Sequence, residues 1–174
     1  LQNALKTLAK EGCPNYFGYQ RFGKSGDNSA IGKEILEGKR KERRMKMKNF
    51  FISAYQSDLF NNWLSSRIQI SHTLSSFEDA EVMDLLGLSK DEIKMLRTQQ
   101  QFLKLFQGDV AHHYPAGKAF LCEDVAEESQ RFANHDITLT GWLPGSRSMR
   151  GEGYAKVLDD KIYAEAEAYL KQMN

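Results

Sequence analysis

No stretch of this chain approaches the roughly 18 consecutive apolar residues that a membrane-crossing helix requires, so none of its helices is expected to span a bilayer. Cysteine is scarce as well. Cys13 and Cys122 stand far apart, and no charged start, apolar stretch and small-residue cleavage site marks a secretory leader. That combination points to a reducing, cytoplasmic setting, with both thiols free and packed, rather than to a disulfide framework. Internal repeats and low-complexity tracts are missing, and so are the usual short catalytic strings. No serine lies in a nucleophile-elbow sequence, and Gly23-Lys24-Ser25 lacks the spaced upstream glycine of a phosphate loop. His112 and His113 are adjacent, so on a strand they point to opposite faces, and no cysteine pair or His-x-x-x-His spacing supports them. No metal site is expected there.

What is present is a chain of globular composition, 41% hydrophobic and 27% charged over 174 residues. That is enough for one cored domain, or for a domain joined to part of another. Its formal net charge of +1 hides an uneven distribution. Residues 39–48, KRKERRMKMK, hold seven basic residues and one acidic residue, which leaves the rest of the chain net acidic. Such a localised positive patch serves either as a solvated face or linker, or as the contact for a localised anionic partner. If the run extends a helix, Lys39, Arg43 and Lys46 share one face.

Periodicity divides the chain into helices around one small strand element. Leu1, Leu5 and Leu8 recur at helical spacing up to a glycine stop at Gly12. Asn28 is placed to cap a short helix carrying Ile31, Ile35 and Leu36. Ser53 with Gln56 forms a capping-box signature ahead of the stripe Tyr55, Leu59, Phe60, Trp63 and Leu64, which predicts a helix over about 54–68. A shorter helix is predicted over 75–86 with Gly87 ending it, and Ser89 with Glu92 opens another that runs on toward residue 106. Around Pro115-Ala116-Gly117, the runs 110–114 and 118–122 read as a hairpin. DVAEESQRFAN then reads as a short amphipathic helix and ITLTGWLPG as extended chain entering a turn. A final helix carries Tyr154, Leu158, Ile162, Ala166, Tyr169 and Met173. The predicted class is α+β, with a mainly helical unit over 51–174 holding a small antiparallel strand element. Residues 1–50 precede it and offer little core of their own.

The ten residues Pro14-Asn15-Tyr16-Phe17-Gly18-Tyr19-Gln20-Arg21-Phe22-Gly23 follow neither a helical nor a strand period. Four rings, two glycines, an arginine and two amides lie together. One reading is a glycine-bent loop whose rings plug the edge of a core while Arg21 pairs with an acid. The other is a base-binding loop, in which Phe17 stacks on a nucleobase, Asn15 meets its edge, and Gly18 and Gly23 let the backbone turn close to the ligand.

The same string closely resembles the PNYFGxQRFG motif of the TruD family of tRNA pseudouridine synthases. Further segments resemble markers of that family in the same order. They are Ser53-Ala54-Tyr55-Gln56-Ser57-Asp58-Leu59-Phe60-Asn61 (SAxxSxLFN), Gly108-Asp109-Val110 (GDV) and Thr140-Gly141-Trp142-Leu143-Pro144-Gly145 (TG-x-x-x-G). The resemblance implies an isomerase that detaches a uracil from its ribose in tRNA, rotates it and rejoins it through carbon, using one aspartate and no metal or cofactor. It implies a target, the uridine at position thirteen in the D-arm, that is flipped out of folded RNA into a pocket. By resemblance, Asn15 sits in that pocket and hydrogen-bonds the substrate or holds the aspartate, Phe17 packs beside the flipped base, and Arg21 reaches a phosphate or a neighbouring acid. Lys39, Arg40, Lys41, Arg43, Arg44, Lys46 and Lys48 then lie where bound tRNA passes, contacting its backbone without reading sequence.

The family's catalytic aspartate belongs to a Lys-Asp motif well upstream of PNYFG. Residues 1–13 contain no aspartate, so no residue of this chain is assigned that role. The resemblance therefore implies an internal portion of such an enzyme: residues 1–50 as a fragment of the pseudouridine synthase catalytic domain, residues 51–174 as the inserted TRUD domain, and no activity by itself. The competing expectation is a noncatalytic RNA-binding or protein-interaction module.

Overall fold

The computed structural model describes residues 2–143 and 149–170. The described elements run α1 (Gln2–Glu11), α2 (Tyr19–Phe22), α3 (Asn28–Leu36), α4 (Met45–Ser76), α5 (Asp79–Leu86), α6 (Lys90–Thr98), β1 (Val110–His113), β2 (Ala119–Leu121), α7 (Val125–Ala133), β3 (Ile137–Leu139) and α8 (Gly153–Leu170). The class is α+β and mainly helical, as the periodicity predicts. Pro144 and Gly145 of the TG-x-x-x-G marker, and Leu1 and Met173 of the terminal stripes, lie outside the described residues.

Helix α4 is the spine, and it is far longer than the predicted 54–68. Ser53 and Gln56 do not open it: the Ser53 carbonyl accepts a hydrogen bond from Ser57 Oγ inside the helix, at 2.8 Å. The reason is that residues 45–76 contain no glycine or proline, so a capping pair inside an unbroken run has no helix end to cap. The predicted stripe is buried all the same, with Tyr55, Leu59, Trp63 and Leu64 joined by Trp142 and Tyr163 of the C-terminal region. Farther along, Ile70 and Leu74 pack with Val82, Leu88, Ile93, Leu96, Phe106 and Leu158. Helix α3 lies so close to α4 that a Cβ on Gly32 would stand 2.1 Å from the Phe51 carbonyl oxygen, which explains the glycine in the middle of that helix.

Two other boundaries depart from the prediction. The helix expected over 75–86 begins only at Asp79, because Phe77 is extended and Glu78 with Glu81 forms the capping box. Arg97 braces this corner, donating to the Leu74 carbonyl at 2.9 Å and the Phe77 carbonyl at 2.6 Å and pairing with Asp79. Gly87, in the left-handed region, ends α5 as predicted. The Ser89 and Glu92 capping box opens α6 as predicted, but the helix stops at Thr98. There the Gln99 carboxamide takes both backbone groups of Leu105, N–H at 2.8 Å and C=O at 2.7 Å, and so closes the loop in place of further helical turns.

The predicted hairpin is present, and β3 adds a third strand from the ITL of the extended segment. The sheet order is β2-β1-β3, all antiparallel, with Val110 opposite Leu121 and His113 opposite Ile137. One face packs Ala111, Ile137 and Cys122 against Val125 of α7. Asp124 caps α7 by accepting from the Ala126 and Glu127 N–H groups. Burial pushes the Cys122 thiol up to about 12, so it is an inert, packed cysteine. Cys13 is free as well but exposed, because it follows α1 on a loop with no core beneath it.

Between sheet and spine lies a buried ion pair. Arg67 donates to both carboxylate oxygens of Asp109, at 2.9 and 2.7 Å, and to the Lys104 carbonyl, while Trp63 and Phe106 flank its guanidinium. Asp109 also accepts the Phe106 N–H at 2.7 Å. Gly108 precedes it at φ 83°, where a Cβ would meet the Glu152 carbonyl oxygen at 2.4 Å. The Gly108-Asp109-Val110 segment is thus a structural corner.

Asp159 of α8 is buried nearby, and burial pushes its carboxyl up to about 6, with nearby Asp109 adding to the rise and the Gly151 N–H, Arg67 and Arg150 opposing it. A carboxyl raised above its unfolded value holds a proton in the native state that the unfolded chain has released, so the contribution of Asp159 to stability falls as pH rises from about 4 to about 6. Asp159→Asn is expected to raise unfolding free energy by about 2 kcal/mol at pH 7.5 and by almost nothing at pH 4. Urea melts at the two pH values check this. An equal change at both would show that ionisation of Asp159 is not the cause.

Candidate nucleic-acid site

The string Pro14–Gly23 is bound along one face of α4, and most of the residues that bind it come from the second family-like segment. Phe17 is the centre. Its N–H donates to Asn61 Oδ1 at 3.0 Å, and its carbonyl accepts from Asn61 Nδ2 at 3.0 Å. Its ring meets the Phe60 ring edge-on, with centroids 5.6 Å apart and planes at 80°. The Arg21 guanidinium stands 5.4 Å from the Phe17 centroid and donates to Ser53 Oγ at 3.2 Å. Tyr16 Oη lies 3.0 Å from Ser65 Oγ, one helical turn beyond Asn61. Ser53, Phe60 and Asn61 are seven and eight residues apart, which on a helix places them on one side.

The turn after Phe17 is held just as closely. Gly18 is extended, α2 is a single turn, and Gly23 at φ 82° ends it with its N–H on the Tyr19 carbonyl. Asn28 does not cap α3. Asp27 holds that position, and the Asn28 amide donates instead to the Arg21 carbonyl at 3.0 Å, tying α3 to α2. Ser29 Oγ donates to Asp58 Oδ2 at 2.7 Å, so a further residue of SAYQSDLFN fastens α3 to α4.

Asn15 is exposed, Phe17 is half-buried, and Tyr19 is 86% exposed. An open amide therefore sits two residues from a ring whose backbone, edge and face are all fixed. Arg21 is half-buried, and among the described residues it contacts a hydroxyl and a ring rather than the acid of the first reading. Its charge is left without a carboxylate partner.

The basic run does not continue α3. Gly38 at φ 72° donates to the Ile35 carbonyl, Lys39 and Arg40 donate to the Glu34 carbonyl, and helix resumes only at Met45. The shared helical face of Lys39, Arg43 and Lys46 is therefore not formed. Part of the charge is also internally paired: Lys39 with Glu37 at 2.7 Å, Arg40 with Glu34 at 3.4 Å, and Arg44 with Glu42 at 3.2 Å. The hydrogen bonds from Arg44 hold the Glu42 carboxyl below its ordinary range. Lys41, Arg43 and Lys46 are exposed and Lys48 is half-buried, and among the described residues these four have no carboxylate partner. Elsewhere, His113 stacks on Phe120 and meets Arg131 Nη2 at 3.1 Å, and His112 meets the Gly117 carbonyl. No group of three or more His, Cys, Asp or Glu side chains suited to a metal occurs among the described residues.

Asn61, Phe60, Ser53 and Asp58 are the contacts that reading the sequence for chemistry overlooked. Ser53, Asp58 and Asn61 lie beside the apolar stripe, where polar residues look like an ordinary solvated helix face.

A profile of the family described as tRNA pseudouridine synthase D (TruD) matches residues 1–45 and 41–174. The chain is 48% identical to a tRNA pseudouridine synthase D of Campylobacter jejuni over 174 residues, 99% of this chain and 46% of that protein. It is 51% identical to the protein of the same description from Nitratiruptor over 159 residues, 91% of this chain and 44% of the relative. For Wolinella succinogenes the identity is 39% over 176 residues, 98% of this chain and 49% of the relative. The chain spans about half the length of these curated relatives. The profile match over its whole length, with these relatives beside it, shows that the chain belongs to the TruD family of tRNA pseudouridine synthases.

Proposed function

We propose that residues 1–174 supply the substrate-binding wall and the RNA-backbone strip of a tRNA pseudouridine synthase that isomerises the uridine at position thirteen of the D-arm. The observation that carries this reading is the clamp of PNYFGYQRFG on SAYQSDLFN, which leaves Asn15 open beside a fixed Phe17. A flipped uracil presents a face and a hydrogen-bonding edge, and a positioned ring with a neighbouring amide answers both. In the reaction the bond from ribose to N1 of the base breaks, the base rotates, and ribose rejoins it at C5. The C5 proton is then lost and N1, freed from ribose, takes one up, so the change is an isomerisation. Asn15 orients the base edge or the attacking carboxylate, Phe17 supports the ring, and Arg21 takes a phosphate.

The nucleophilic aspartate lies outside residues 1–174 in this reading. Asp58 and Asp109 are engaged by Ser29 and Arg67, which suits them to structural roles. Residues 1–50 act as part of the catalytic domain and residues 51–174 as the inserted domain, with α4 running through that boundary as one continuous helix.

Because three acids already occupy Lys39, Arg40 and Arg44, Lys41, Arg43 and Lys46 carry most of the phosphate contact. Replacing these three by glutamine is expected to weaken tRNA binding by residues 1–174 and to lower the slope of log affinity against log salt by about 2. The same incubation with unmodified tRNA yields no pseudouridine. An unchanged salt slope would remove the strip from the interface, and turnover by the segment alone would refute the placement of the nucleophile. Binding with no pseudouridine formed by the complete protein would instead favour a noncatalytic RNA-binding module.

A further inference from the structure

We propose that Asn61 is a positioning residue for the isomerisation, acting through Phe17. This rests on the reading above, in which Phe17 supports the flipped base. A single carboxamide takes both backbone hydrogen-bonding groups of Phe17, each at 3.0 Å, across 44 positions of sequence. One hydrogen bond would tether the loop. Two, on opposite sides of the same residue, fix the direction of its Cα–Cβ bond as a neighbouring strand does in a sheet. The ring that projects from that bond is then contacted by the Phe60 ring and by Arg21, itself held by Ser53. All the anchors stand on α4, a continuous 32-residue helix, so the ring is referred to a rigid element rather than to its own loop. Gly18, directly after Phe17, has no Cβ to narrow its own backbone conformations. Asn61 is thus the chief backbone restraint on the position that carries the ring.

The complete enzyme containing this segment is assayed for pseudouridine formation in tRNA, with wild type, Phe17→Ala, Asn61→Ala and the double variant compared well below their melting temperatures. Asn61→Ala is expected to lower kcat at least 30-fold and to leave KM for tRNA within about threefold, because the basic strip holds the RNA. In the Phe17→Ala background the same change costs less than about threefold, since the ring through which Asn61 acts is gone. Asn61→Asp keeps the acceptor for the Phe17 N–H and loses the donor to its carbonyl. Its rate relative to wild type is expected to rise at least threefold as pH falls from 7.5 to 5, where a protonated carboxyl regains that donor. A role limited to holding the loop in place would raise KM or lower the melting temperature without this pattern. If Phe17→Ala loses activity while Asn61→Ala keeps its kcat, or if the two losses multiply in the double variant, the inference is overturned. A wild-type enzyme that forms no pseudouridine, or a Phe17→Ala variant of full activity, overturns the underlying reading and this inference with it.

Discussion

Arg67→Ala is expected to destabilise the fold by about 3–5 kcal/mol, the cost of leaving one partner of a buried ion pair unmatched. Arg67 is 2% exposed, between the rings of Trp63 and Phe106, and it neutralises an Asp109 that is itself buried. Alanine removes two hydrogen bonds to the carboxylate and one to the Lys104 carbonyl. Asp109 is then left with the Phe106 N–H. A cavity adds to that loss, because the guanidinium fills the space between spine and sheet. Arg67→Lys keeps the charge but cannot present the planar fork, so its cost should fall between wild type and alanine. Urea unfolding at pH 7 measures both. A change below about 1 kcal/mol for Arg67→Ala would mean that the corner around Gly108-Asp109-Val110 is held by its backbone alone.

Arg67 shows where the sequence is silent. Nothing in SSRIQISH distinguishes this arginine from a surface one, because its partner lies 42 positions away and only the fold brings them together. Legible features were those set by local chemistry: the Gly87 stop, the Ser89 capping box, the hairpin around Pro115, and the buried face of Tyr55, Leu59, Trp63 and Leu64. Misread features were local signals overruled by their surroundings. Ser53 and Gln56 resemble a helix start but sit in a run without breakers, and Ser53 serves Arg21 instead. The KRKERRMKMK run has helical composition, yet Gly38 in the left-handed region ends α3 before it. Gln99 halts α6 through a contact with Leu105 that no propensity encodes. In the candidate site, Asn15, Phe17 and Arg21 stood out because rings, amides and an arginine lie together there without periodicity. The partners that hold them were hidden, since Asn61 reads as an ordinary polar position on the outside of a helix.

Asn15→Ala is expected to have the largest effect on activity. Asn15 is exposed, and no hydrogen bond ties it to the described fold, so its loss should leave stability within about 0.5 kcal/mol of wild type. In the proposed reading this amide meets the base edge or the attacking carboxylate in the transition state, where removal of one such donor costs about 10²–10³ in rate. Under the proposed reading tRNA is held by phosphate contacts along a different stretch, so its binding should be preserved. The decisive measurement is therefore single-turnover pseudouridine formation at position thirteen, with the complete enzyme in saturating excess over unmodified tRNA, comparing wild type with Asn15→Ala. For Asn15→Ala a rate at least about 100-fold lower is expected, at unchanged tRNA affinity. A wild-type rate for Asn15→Ala would contradict it, because the string Pro14–Gly23 would then not form the wall of the uridine pocket.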